Sequence, residues 1–217
     1  MSIHPFTKHL LLEEPFTFVK FGDGERLCME GKSFGQTNCD GQHYTPELAI
    51  ALKESYLKIS QAKKNALRNL YITEWEEKGH TNIEYDIILH SKKETLDEVV
   101  GFYLTLRNIR RRKLFIGPPE LSKAARMLNA QHVVVHPTRS FKDWDLTCQD
   151  ILNNGSYDCI LLYSCGMTSK TFISNFLSEY LTQIDIGSGL DPLFKGHKTR
   201  EPQINPSILE RYYRNVL

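Results

Sequence analysis

The sequence predicts an α/β protein: a single domain built on a mostly parallel β-sheet with helices on both faces. Short, continuous apolar runs alternate along the chain with segments of helical periodicity, the pattern expected when crossover helices bury strands on both sides. Several of those runs stop at a glycine or proline, where a strand gives way to a turn. A length of 217 residues, with 41% hydrophobic and 24% charged, is enough for one full core.

Residues 16–21, rich in aromatic and β-branched types, read as the first strand. A short helix over 25–31 follows, then a polar loop over 32–44, a length more often functional than idle. Thr45, Pro46 and Glu47 open a helix as cap, first-turn proline and dipole partner, and Leu48, Leu52, Tyr56 and Ile59 form its core stripe. Periodicity leaves 65–79 open between strand and helix, and reads 83–90 as a strand. Leu96, Val99, Val100, Tyr103 and Leu106 line one face of a helix that ends near Arg110. The second half is expected to contain strands over 113–117, 131–136, 157–163 and 183–186. Its helices are expected near 119–128 and 143–152 and from about 169 to Tyr180. The core spans about 16–194, and the tail 195–217, with Tyr212 and Tyr213 on a short helix, packs against it.

In a parallel sheet, ligands bind beyond the carboxyl ends of the strands. Four such ends carry chemistry here. At the first, Gly22 and Gly24 allow a sharp turn and present Asp23 and Glu25, a pair of hard oxygen donors suited to Mg²⁺ or Mn²⁺. The plainer alternative is an Asp-Gly turn with Glu25 starting a helix. At the second and third, Gly117-Pro118 and Gly166-Met167-Thr168-Ser169 each precede a helix, where free backbone N–H groups would seat a diphosphate; either glycine could instead serve only a tight turn. The fourth offers Asp185 and Gly187, Asp185 being alternatively a structural carboxylate. Lys170-Thr171 matches the end of a phosphate-binding loop, but both of that loop's glycines are absent, which argues against a kinase. Lys170 remains a candidate phosphate contact.

The segment from Lys20 through Gly22, Asp23 and Gly24 to Glu25 resembles the amino-terminal signature of the GT-D glycosyltransferases. The turns at Gly117 and Gly166 and the closing Asp185-Ile186-Gly187 follow in that family's order. The chain departs from the pattern at Lys20, where arginine is usual, and at Ser188, where histidine is frequent. The resemblance implies a Rossmann-like GT-D domain that moves a sugar from a nucleoside-diphosphate sugar, a UDP-sugar being the first choice, to a hydroxyl of a glycan or glycoconjugate acceptor. Asp23 and Glu25 would hold Mn²⁺ or Mg²⁺. Lys20, Gly22, Gly117, Pro118, Gly166 to Lys170, Asp185 and Gly187 would bind the donor. Asp40, and after it His43, would deprotonate the acceptor in an inverting reaction. The alternatives are another Rossmann-type transferase such as a methyltransferase, with an acidic residue on a ribose, or a non-catalytic nucleotide-binding domain.

A net charge of +1 gives no case for nucleic acid, and the basic run Arg110 to Lys113 reads as a solvated helix end, the alternative being a contact to phosphates or to an anionic membrane surface. Five cysteines without a C-x-x-C pair fit reduced thiols. With neither a signal peptide nor an apolar run of membrane length in evidence, a cytoplasmic protein is expected. Oligomeric state is not encoded in any motif.

Overall fold

A computed structural model describes residues 4–32, 35–37, 41–65, 67, 69–74, 88–90, 92–196 and 203–214. Within them six strands form one parallel sheet in the order β2-β1-β6-β5-β3-β4. The strands are β1 Thr17–Phe21, β2 Leu70–Glu74, β3 Lys113–Gly117, β4 Gln131–Val134, β5 Ile160–Tyr163 and β6 Thr182–Asp185. The helices are α1 Pro5–Leu11, α2 Asp23–Glu30, α3 Pro46–Lys64, α4 Leu96–Asn108, α5 Ser122–Met127, α6 Trp144–Asn154, α7 Ser169–Asn175, α8 Asp191–Phe194 and α9 Pro206–Tyr213.

Alternation along the strands divides the core into two layers. Phe18, Phe115, Leu162 and Ile184 face one side, packed with Phe102, Tyr103 and Leu106 of α4 and with Leu209 and Tyr213 of α9. Val19, Leu114, Ile116, Leu161 and Tyr163 face the other, packed with Ile59 of α3, Ile151 of α6 and Phe172 of α7. Both faces are covered, so the strands read as unbroken apolar runs.

Several expectations need correcting. The open segment 65–79 yields strand β2, of which 75–79 lie outside the described residues. The expected strand 83–90 is contradicted where it can be followed: Ile88 and Leu89 are helical and His90 is a turn residue with φ +55°, while 83–87 lie outside the described residues. The helix expected over 119–128 is a 3-10 turn, Pro119–Leu121, followed by α5. Helix α7 stops at Asn175, before Tyr180, which is 70% exposed. Helix α1 was not foreseen. His4 caps it by accepting from the Phe6 N–H at 3.2 Å, and Phe6 stacks on Phe16 with ring centroids 5.2 Å apart. The tail does pack on the domain, with Leu209 and Tyr213 fully buried.

His90 pins that tail. Its Nδ1 lies 2.9 Å from the Gly189 carbonyl and its Nε2 2.9 Å from the Tyr213 hydroxyl. A carbonyl only accepts, so Nδ1 carries the proton and Nε2 accepts from tyrosine. Burial lowers the His90 pKa from 6.5 to about 4, the Gly189 contact opposing it. A base with a depressed folded pKa loses stability as pH falls below its unfolded value. Wild type should therefore lose about 2 kcal/mol through this group between about pH 7 and about pH 5. Urea unfolding at the two values checks it: His90→Asn, which does not titrate, should show a slope smaller by that amount.

Candidate active site

All six strands run the same way, so the segments after β1, β3, β5 and β6 meet at one edge of the sheet. At that edge the described residues contain a buried charge cluster. Lys170 Nζ lies 2.8 Å from Glu25 Oε1 and 2.9 Å from Asp185 Oδ2, the side chains being 6%, 10% and 2% exposed. The same ammonium donates to the Gly166 carbonyl at 3.3 Å.

Each partner is fixed by its own element. Glu25 is the third residue of α2, and its Oε2 accepts the Gly22 N–H at 2.8 Å, satisfying one of the donors that a helix start leaves open. Asp185 ends β6. The β1–β6 ladder stops at Phe18 and Ile184, and beyond it Asp185 Oδ2 accepts the Lys20 N–H at 3.3 Å. Lys170 enters from α7, which follows β5. Residues far apart in sequence thus meet because β1, β6 and β5 are neighbours.

Burial opposes ionisation of Glu25 and Lys170, but the neighbouring charges more than offset it. Desolvation pushes the Glu25 carboxyl up; Lys170, with Lys20 behind it, outweighs this and leaves its pKa below the usual value. Desolvation pushes the Lys170 ammonium down; Asp185 and Glu25 outweigh it and raise its pKa. The group is therefore a salt-bridged triad at neutral pH. Its three ammonium protons have three acceptors, so in this structure Lys170 ties Glu25 to Asp185.

The glycines act differently than expected. Gly22 has φ −88°, open to any residue; what favours glycine is space, since a Cβ there would stand 3.1 Å from Glu25 Oε2 and 3.3 Å from Lys20 Cε. Gly166 has φ +60°, and a Cβ would stand 2.5 Å from Gln42 Oε1. Gln42 was missed by sequence reasoning. It is buried; its amide nitrogen donates to the Cys165 carbonyl at 2.8 Å and to Ser140 Oγ at 3.0 Å, and its oxygen accepts the Met167 N–H at 2.8 Å. The Met167 N–H is therefore not free for a ligand. Thr168 and Ser169 are buried as well, their hydroxyls against Ser140 at 2.8 Å and Cys165 Sγ at 3.4 Å. Only Gly166 of that turn is partly exposed.

The remaining candidates fall in several places. Lys20 is half-buried on β1, and Asp23 is exposed at the first position of α2. Gly117 ends β3, where its carbonyl accepts from Val135 and lies 3.0 Å from His132 Nε2; Pro118 and Pro119, which follow it, have no N–H to offer an anion. Gly187 is partly exposed beside Asp185 with φ +53°. His43 is exposed and bridges Thr37, while Asp40 lies outside the described residues.

Among the described residues no three His, Cys, Asp or Glu side chains come together as a ready metal cage. One oxygen nevertheless asks for a partner: Asp185 Oδ1 is buried without a hydrogen bond. Glu25 spends one contact per oxygen and keeps lone pairs. A cation bound through one or two carboxylates, with water and phosphate oxygens completing its shell, fits such a set.

No family model matches the chain, and neither does any curated protein. Solved structures do match. One is described as a new glycosyltransferase of the domain of unknown function 1792 from Streptococcus sanguinis, with 16% identity, TM-score 0.56, and 90% of this chain and 84% of that one covered. A second, a selenomethionine-substituted domain of unknown function 1792, gives 17% identity, TM-score 0.57, and 90% and 81% coverage. A third, in which that domain is described as having a distinct glycosyltransferase fold, gives 16% identity, TM-score 0.59, and 100% and 93% coverage. The chain has the fold of these structures.

Removing Lys170 would leave two carboxylates facing each other in the interior. Lys170→Met should cost about 3–5 kcal/mol, the loss typical of breaking a buried pair from one side. Chemical unfolding at neutral pH measures it; a loss below about 1 kcal/mol would mean that the triad does not support the fold.

Proposed function

We propose that this protein is a nucleotide-sugar-dependent glycosyltransferase, transferring a sugar from a nucleoside-diphosphate donor to a hydroxyl of a glycan or glycoconjugate. The observation that carries the reading is the cluster of Glu25, Lys170 and Asp185 at the carboxyl edge of the sheet, with Asp185 Oδ1 left unpaired. The shared fold of proteins described as glycosyltransferases supports it.

In this reading Asp23 and Glu25, directly or through water, and the open Oδ1 of Asp185 hold Mn²⁺ or Mg²⁺. A cation held by these residues would supply charge neutralisation for the departing diphosphate. The chain's own residues do the rest. Lys20 adds a positive charge beside Gly22, and the absent Cβ at Gly22 and Gly166 lets Glu25, Lys20 and Gln42 pack against those turns. Lys170 keeps Glu25 and Asp185 from swinging apart, so the site is organised before the donor arrives, which spares ordering entropy on binding. If the reaction inverts, Asp40 or His43 takes the acceptor proton. UDP-sugars are the first donors to try.

A thermal-shift series with nucleoside diphosphates, with and without Mn²⁺, tests this, since a ligand specific for the folded state raises its stability. One diphosphate should raise the melting temperature in a metal-dependent way, and Asp23→Ala should abolish the gain. Equal shifts in the variant, or none in wild type, would refute the assignment.

A further inference from the structure

The side chain of Gln42 joins the loop before α3 to the turn after β5. It is 3% exposed, and its carboxamide meets the backbone on either side of Gly166: the nitrogen donates to the Cys165 carbonyl at 2.8 Å and to Ser140 Oγ at 3.0 Å, and the oxygen accepts the Met167 N–H at 2.8 Å. A carbonyl only accepts and a backbone N–H only donates, so the amide has one orientation. It lies against Gly166, where a Cβ would stand 2.5 Å from Oε1, 2.7 Å from Cδ and 2.9 Å from Nε2. Glutamate has no N–H to give the Cys165 carbonyl, and asparagine is one methylene shorter.

Both segments that Gln42 joins close over the start of α2. Met167, whose N–H the amide holds, is 1% exposed, and Tyr44, two residues after Gln42, is 7% exposed. A Cβ on Gly24 would stand 3.7 Å from Tyr44 Oη and 3.9 Å from Met167 Sδ, so these two side chains lie against the residue between Asp23 and Glu25. Cys28 of α2 and Leu48 and Leu52 of α3 complete the same apolar cluster. Lys170 holds Glu25 by charge; Met167 and Tyr44 bound the same turn by packing.

We propose that Gln42 is a positioning residue for the Asp23–Glu25 turn: by fixing Met167 and Tyr44 against Gly24, its carboxamide keeps the two carboxylates in place for a divalent cation and a donor diphosphate. The proposal rests on the metal and diphosphate reading given above. Gln42 is buried, so it acts through these neighbours. A buried amide with its donors and acceptor matched to partners gives a turn one arrangement, and a site arranged before its ligand arrives loses less order on binding.

Gln42→Met keeps the length of the side chain and removes its three hydrogen bonds, and Gln42→Glu keeps the shape without the N–H donors. Should Gln42→Met fail to fold, Gln42→Asn takes its place. Amide exchange followed by NMR without ligand reads the turn at Gly22, whose N–H is held by Glu25 Oε2 at 2.8 Å, a bond that does not involve Gln42. In the variants Gly22 should exchange at least about tenfold faster than in wild type, and by a larger factor than Phe115 at the centre of β3, which reports global opening. Gly22 exchanging as in wild type, or only in step with Phe115, overturns the proposal. Mn²⁺ added with UDP and followed by electron paramagnetic resonance should bind the variants at least about tenfold more weakly than wild type; equal affinity also overturns it. Wild type that takes up no Mn²⁺ with UDP refutes the donor reading instead, and the Gly22 exchange then decides on Gln42 by itself.

Discussion

A lysine ammonium buried between two carboxylates governs the carboxyl edge of the sheet. Lys170, Glu25 and Asp185 come from three segments of the chain, and each is held by backbone as well as by charge. Taking such charges out of water is costly, and the cost is offset only when geometry is tight and the remaining hydrogen bonds are made. That demand fixes the turn after β1, the turn after β5 and the end of β6 together. Even the departure from regular pairing follows from it, because the Asp185 carboxylate takes the place of a ladder acceptor for Lys20.

The consequence is a preorganised pair of carboxylates. Glu25 and Asp185 cannot relax away from each other, yet Asp185 Oδ1 stays buried and unsatisfied. A site of this kind is already arranged for a polar ligand or cation to complete, and little of the binding free energy is lost to ordering it. Gln42 extends the same arrangement outward by tying the loop before α3 to the turn at Gly166 and to Ser140 and Thr168.

Most of the sheet was legible because its strands are apolar on both faces and stop at turn residues, as Lys113 to Gly117 and Ile160 to Tyr163 show. Helix α1 was not, since a seven-residue helix with Phe6 and Leu10 as its buried positions carries too little periodicity to be seen. The helix after β3 was overextended because Pro118 and Pro119 force a 3-10 start. Asp23, Glu25, Lys170 and Asp185 were each legible as residues at strand ends, but the pairing of Lys170 with Glu25 and Asp185 was not, because it depends on β1 lying beside β6, which no local pattern states. Gln42 escaped for a related reason. An uncharged amide has no motif, and the titratable neighbours Asp40 and His43 drew the attention that its hydrogen bonds deserved.

The most direct test of the central claim is a crystal structure of the protein soaked with UDP and Mn²⁺, the first diphosphate to try. The diphosphate should lie at the carboxyl edge of the sheet, over the Gly22 and Gly166 turns, with the metal held by Asp23, Glu25 and Asp185 Oδ1, directly or through water, and the Lys170 contacts unchanged. A diphosphate seated elsewhere, or one that displaces Lys170 from Glu25 and Asp185, would contradict it.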